Sequence, residues 1–281
     1  MKKFRFILFP SLVIMISILA LQSCNKSDKS GTTVDSTKAP TMQPPSTTPG
    51  AAAELTLNDK AKQGQLIYYN TSLGKVKVAC ATCHSDGSAK TQANQIRIGH
   101  TLAGVTSRTE TWNGMYKGGD LKKFAYGGSL CAAVFQKRAD IKTVDKALSS
   151  DEVDALNEYL AAVNSASGAM TSNLKIQWVA KPTFSDAAPD AKIATPAIKA
   201  IMKLPGDPAS GEKIFALSCG SCHSIKDKKI GPPMIKAAQD MNNVVQTIRF
   251  GSGDMAFYAK DILSDQQIAD AIAYIQTQLG K

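Results

Sequence analysis

The sequence predicts an all-α fold of two helical units in tandem, and three observations carry that expectation. A five-residue string occurs twice, as Cys80-Ala81-Thr82-Cys83-His84 and as Cys219-Gly220-Ser221-Cys222-His223. Each copy follows a G-x-x-I-aromatic string, Gly64-Gln65-Leu66-Ile67-Tyr68 in one case and Gly211-Glu212-Lys213-Ile214-Phe215 in the other. Each is followed at a distance by a matched segment: Leu148-Ser149-Ser150-Asp151-Glu152-Val153 leads to Tyr159, and Leu263-Ser264-Asp265-Gln266-Gln267-Ile268 leads to Tyr274, with no gap between the copies. Val153, Leu156, Leu160 and Val163 fall on one helical face, as do Ile268, Ile272, Ile275 and Leu279. A repeat of this kind makes each unit a helix, the five-residue string, a loop and a closing helix.

The repeated string has its own chemistry. Two thiols spaced by two residues are placed to add to the two vinyl groups of a haem, and the next residue, a histidine, reaches the iron. Cys80, Cys83 and His84, and again Cys219, Cys222 and His223, are therefore the expected binding residues of two covalent c-type haems, with His84 and His223 as proximal iron ligands. A zinc ribbon places its cysteine pairs about 15 to 20 residues apart, whereas these begin 139 residues apart. A thioredoxin-like dithiol needs no histidine after its second cysteine, least of all twice.

In chain order, residues 1–23 carry Lys2, Lys3 and Arg5, then an apolar run from Phe6 to Leu21, and no acidic residue. This pattern is that of a secretory signal. Its end, Leu21-Gln22-Ser23-Cys24, resembles the lipobox of bacterial lipoproteins, which implies lipidation at Cys24. The expected location is the cell envelope, lipid-anchored and facing the periplasm or the cell exterior. Residues 24–53, with Pro40, Pro44, Pro45 and Pro49 among many Ser, Thr and Lys, read as a disordered tether.

The first unit spans residues 54–165 and the second 205–281. Asn58, and Asp207 followed by Pro208, are the expected starts of their first helices. Between the units, residues 166–204 contain Pro182, Pro189 and Pro196 and read as a linker, with Ile176 and Trp178 expected to pack on the units.

With helices, motifs and order in place, both units resemble class I c-type cytochrome domains, the second closely and the first with divergence. The resemblance implies two cytochrome c-like helical domains, each wrapped around a covalently bound haem. It implies that the first and last helices of each unit cross where a glycine meets an aromatic residue, Gly64 with Tyr159 and Gly211 with Tyr274. Gly231-Pro232-Pro233 resembles the family's Gly-Pro turn supporting the proximal histidine. Met255, in Ile248-Arg249-Phe250-Gly251-Ser252-Gly253-Asp254-Met255-Ala256-Phe257, resembles the distal ligand after a glycine-rich stretch, although the family often has Pro where Ala256 stands. Met234 and Met241 read as core residues.

The first unit lacks a glycine-rich methionine loop, and three residues compete for its sixth iron position. Cys131 is the cysteine left over once the haem strings and Cys24 are assigned, and thiolate ligation resembles that of some sulfur-oxidising dihaem cytochromes. Met115, in Trp112-Asn113-Gly114-Met115, and His100, in the place of the family's Gly-Pro turn, are the others. Cys131 ranks first, then Met115, then His100.

The formal net charge is +10, of which Lys2, Lys3 and Arg5 would leave with the signal. A moderate positive field suits acidic redox partner proteins. The lysines are dispersed and no DNA or RNA recognition motif is present, which argues against nucleic acid. The expected function is single-electron transfer between membrane or periplasmic redox partners. The alternative is a haem enzyme, or an enzyme subunit, acting at the first haem on sulfur compounds or peroxide, motivated by the long insertion around 85–147 and by Cys131.

Overall fold

A side-chain oxygen starts most of the helices. In the computed structural model of the chain, which describes residues 55–88, 95–108, 110–111, 116–117, 121–167, 179 and 188–280, the Asn58 side chain accepts from the Ala61 N–H at 2.7 Å and opens helix α1, Asp59–Tyr69. A short helix α2, Cys80–Cys83, holds the first string itself. Beyond it come a 3-10 turn at Val105–Ser107 and an antiparallel pair, β1 (Glu110–Thr111) and β2 (Tyr116–Lys117), in the register Glu110↔Lys117. Helix α3, Leu121–Val134, and a 3-10 segment at Ile141–Lys146 lead to the closing helix α4, Ser150–Ser167. At the start of α4, Ser149 Oγ accepts from the Glu152 N–H and Glu152 accepts from the Ser149 N–H at 2.9 Å, which satisfies two exposed donors reciprocally.

Helix α5, Ala191–Met202, is capped by Asp190 and lies in the stretch that the sequence reads as linker. The proline pattern hides it, because Pro196 sits in its interior and removes one backbone donor. Burial of Ala194, Ile198 and Ile201 on one face holds it helical. Helix α6, Pro208–Ile214, runs on through a π turn at Phe215–Cys219 into the second string. Helices α7 (Met234–Ala237), α8 (Met241–Phe250) and α9 (Asp265–Gln278) complete the chain, with Ser264 and Gln267 forming a capping box on α9.

Among the described residues the fold is helical apart from the one two-residue strand pair. These residues fall within one unit of contacts, 49–281, and bury two apolar clusters. The first gathers Tyr68, Leu130, Val134, Leu156, Tyr159 and Leu160, and the second Phe215, Val245, Ile248, Ile268, Ile272 and Ile275. In each, the first and closing helices cross at a glycine. A methyl group on Gly64 would lie 1.9 Å from the Ala155 carbonyl oxygen and 2.8 Å from Tyr159 Cβ. On Gly211 it would lie 2.0 Å from the Asp270 carbonyl oxygen and 2.8 Å from Tyr274 Cβ. The aromatic pairs behind these crossings also match: Tyr68 and Tyr159 have centroids 5.6 Å apart at 52°, and Phe215 and Tyr274 5.6 Å apart at 51°. Met234 is buried and Met241 packs against the second cluster. Cys24, Met115, Trp112, Ile176 and Trp178 lie outside the described residues.

Candidate haem sites

Both histidines of the repeated string are held the same way. His84 Nδ1 is 2.7 Å from the His100 carbonyl oxygen, and His223 Nδ1 is 2.9 Å from that of Pro232. A carbonyl only accepts, so in both rings Nδ1 is the donor and Nε2 is the nitrogen left for a ligand. Burial holds the His84 imidazole below its ordinary pKa, which keeps it neutral and able to ligate. A glycine lies against each ring. A methyl group on Gly99 would be 2.3 Å from His84 Cε1, and one on Gly231 would be 2.2 Å from His223 Cε1. The backbone locks this geometry: the Gly99 N–H donates to the Cys83 carbonyl at 2.8 Å and the Gly231 N–H to that of Cys222 at 2.9 Å. Gly99-His100 thus does in the first unit what Gly231-Pro232 does in the second.

The donor set fits covalent haem in both places. Cys80, Cys83, Cys131, Cys219 and Cys222 are all free thiols. Burial pushes the Cys80 and Cys219 thiols up to about 11 and that of Cys83 up to about 12. Burial disfavours the thiolate at both strings, and each string supplies the two sulfurs and one adjacent imidazole that covalent haem needs.

Cys131 sits on α3, part-buried, its thiol pushed up to about 12 first by burial and then by the neighbouring Cys80. Its charge also reaches the Cys83 thiol, so it lies within electrostatic reach of the first string. The His100 ring lies within the same reach of His84, but its Nε2 is taken by Asp261 Oδ2 at 2.8 Å. What His100 gives to the site is its carbonyl.

Met255 lies in a turn closed by its own backbone, with the Ser252 N–H donating to the Met255 carbonyl at 2.9 Å. The turn is fastened by Arg249, which is fully buried and donates to the carbonyls of Tyr258 (2.7 Å) and Leu263 (2.9 Å) and to Asp265 Oδ1 (2.7 Å). Tyr258 in turn donates to the Ser218 carbonyl at 2.9 Å, one residue before Cys219. The Met255 turn and the second string are thus tied together.

Several supports escape sequence reasoning. Asp86 is fully buried and accepts from Tyr69 (2.8 Å) and Tyr159 (2.6 Å), while the Tyr68 hydroxyl donates to the His84 carbonyl at 2.8 Å. The adjacent tyrosines at the C-terminal end of α1 were the available signal. Arg249 and Tyr258 had none, since their partners are distant in sequence.

A helical frame in which a C-x-x-C-H string presents an imidazole over a glycine is an arrangement that fits covalent haem. Residues 206–275 match the family model described as cytochrome c oxidase, cbb3-type, subunit III. The match supports a c-type cytochrome domain in this segment, with covalent haem c and electron transfer. Neither a curated protein nor a solved structure matches the chain.

Proposed function

We propose that the chain is a dihaem c-type cytochrome, exported and lipid-anchored at Cys24, that carries single electrons between membrane or periplasmic redox partners with acidic docking faces. The observation that carries this reading is the duplicated proximal arrangement, carbonyl on Nδ1 and glycine on the ring, at His84 and at His223. The two tandem haem domains are then 54–165 and 205–281. Cys80 and Cys83, and Cys219 and Cys222, hold the haems by thioether bonds, and Met255 is the sixth ligand of the second. Haem supplies one-electron chemistry, and the chain sets its potential and access through axial ligands and burial.

For the first haem we assign Cys131 as sixth ligand. Its high thiol pKa is no obstacle, because coordination to a cation removes the proton outright. Thiolate donation would lower that haem's potential while thioether donation raises that of the second, leaving the pair unequal. The second reading, chemistry on sulfur compounds or peroxide at the first haem, is motivated by the long insertion around residues 85–147 and by Cys131.

Pyridine haemochrome analysis of the purified chain is expected to give two haem c groups, and one group would overturn the dihaem reading. A low-spin thiolate EPR signal is expected to disappear in Cys131→Ala. Its persistence would remove Cys131 as ligand. Ready cyanide binding at the first haem would favour the enzyme reading over the carrier.

A further inference from the structure

Residues 95–100 leave the first cluster and reach into the second. Ile96 and Ile98 pack against the second apolar cluster, and the Ile96 N–H donates to the Leu217 carbonyl at 3.0 Å, two residues before Cys219. Gly99 lies on the His84 ring, and the His100 carbonyl accepts from His84 Nδ1. The His100 side chain then pairs with Asp261, between Met255 and α9, with both side chains about three-quarters or more covered. One short strap therefore runs from the first proximal imidazole to both sides of the second string.

The two proximal carbonyls are fixed by different means. Pro232 has its φ locked by the pyrrolidine ring, so its carbonyl is oriented by covalent structure. His100 has no such lock: the N–H groups of Gly99 and Leu102 tie the backbone on either side of it to Cys83 and Ser85, and the residue itself is held through its side chain. That hold is Asp261, a residue of the other cluster.

We propose that His100, anchored by Asp261, is a positioning residue for His84, so that the second unit sets the orientation and donor strength of the first proximal imidazole. The proposal rests on the reading above that His84 ligates haem iron. A ligating imidazole whose Nδ1 proton is firmly held is more basic and fixed in its ring plane. Releasing the anchor lets the His100 carbonyl swing, weakens that hydrogen bond and makes the imidazole a poorer donor to ferric iron.

The test uses the full haem-loaded chain in detergent, with potentiometric titration and EPR on His100→Ala, Asp261→Ala, the double variant and His100→Gln. The first haem's potential is expected to rise in both single Ala variants, by up to about tenfold in its reduction equilibrium constant, with shifted g-values. The double variant is expected to shift no further than either single one, because both remove one interaction. His100→Gln, whose amide still reaches Asp261, is expected to stay near the parent. Unchanged potential and g-values in the Ala variants, or shifts that add in the double, would overturn the proposal. A parent chain with a single haem would instead overturn the functional reading. Should the Ala variants fail to load haem, His100→Gln is compared with His100→Asn, whose shorter amide falls short of Asp261, and identical first-haem potentials in these two would overturn it.

Discussion

Glu152 shows how one side chain serves a cap and a charge pair at once. Its carboxylate accepts from the Ser149 N–H and from Arg138 Nη2 at 2.8 Å. Burial alone would raise its pKa, but these hydrogen bonds prevail and hold it below the usual 4.5. A depressed carboxylate pKa adds stability that is present above the unfolded value and is lost as pH falls through the folded one. Glu152→Gln is expected to cost on the order of 1 kcal/mol at neutral pH and to flatten the stability curve below about pH 4.5, as read from denaturant midpoints across pH. At this scale the two strings were visible because each is five consecutive residues, whereas the carbonyl and glycine that hold His84 and His223 come from later loops. Arg249 was not visible, since it reads as an ordinary helix cation until residues 258, 263 and 265 are brought onto its guanidinium.

At the scale of elements, the crossings of α1 with α4 and of α6 with α9 are fixed by backbone lying on backbone. A methyl group on Gly211 would have to displace the Asp270 carbonyl, which belongs to the middle of a buried helix and has nowhere to go. Gly211→Ala is expected to destabilise the haem-loaded chain by roughly 1–3 kcal/mol or more, measured by chemical unfolding. Gly64→Ala is expected to do the same in the first cluster. Both crossings were readable because a glycine and an aromatic recur at matched places. Helix α3 was not, since Gly127-Gly128 weakens its propensity and the second unit offers no copy to compare. The α5 stretch misled for the opposite reason: Pro196 speaks against a helix locally, and the tertiary burial of Ile198 and Ile201 overrides it.

For the whole molecule, the strap at 95–100 makes the two clusters one body. Ile96 and Ile98 insert into the second cluster, and Lys137 pairs with Asp254 at 2.7 Å beside Met255. That ion pair is exposed and contributes little, so the isoleucines and the more covered His100–Asp261 pair carry the junction. Ile96→Asp with Ile98→Asp is expected to split a single calorimetric unfolding transition into two. One transition in the variant would place the coupling elsewhere. The repeat made the two units visible in the sequence, but their junction was not, because Ile96-Arg97-Ile98 has no counterpart after the second string.

The Tyr258 hydroxyl bond to the Ser218 carbonyl makes the second string mechanically sensitive to the segment after Met255. One end of that bond is the residue before Cys219 and the other lies just past Met255, so a shift of either backbone strains the other.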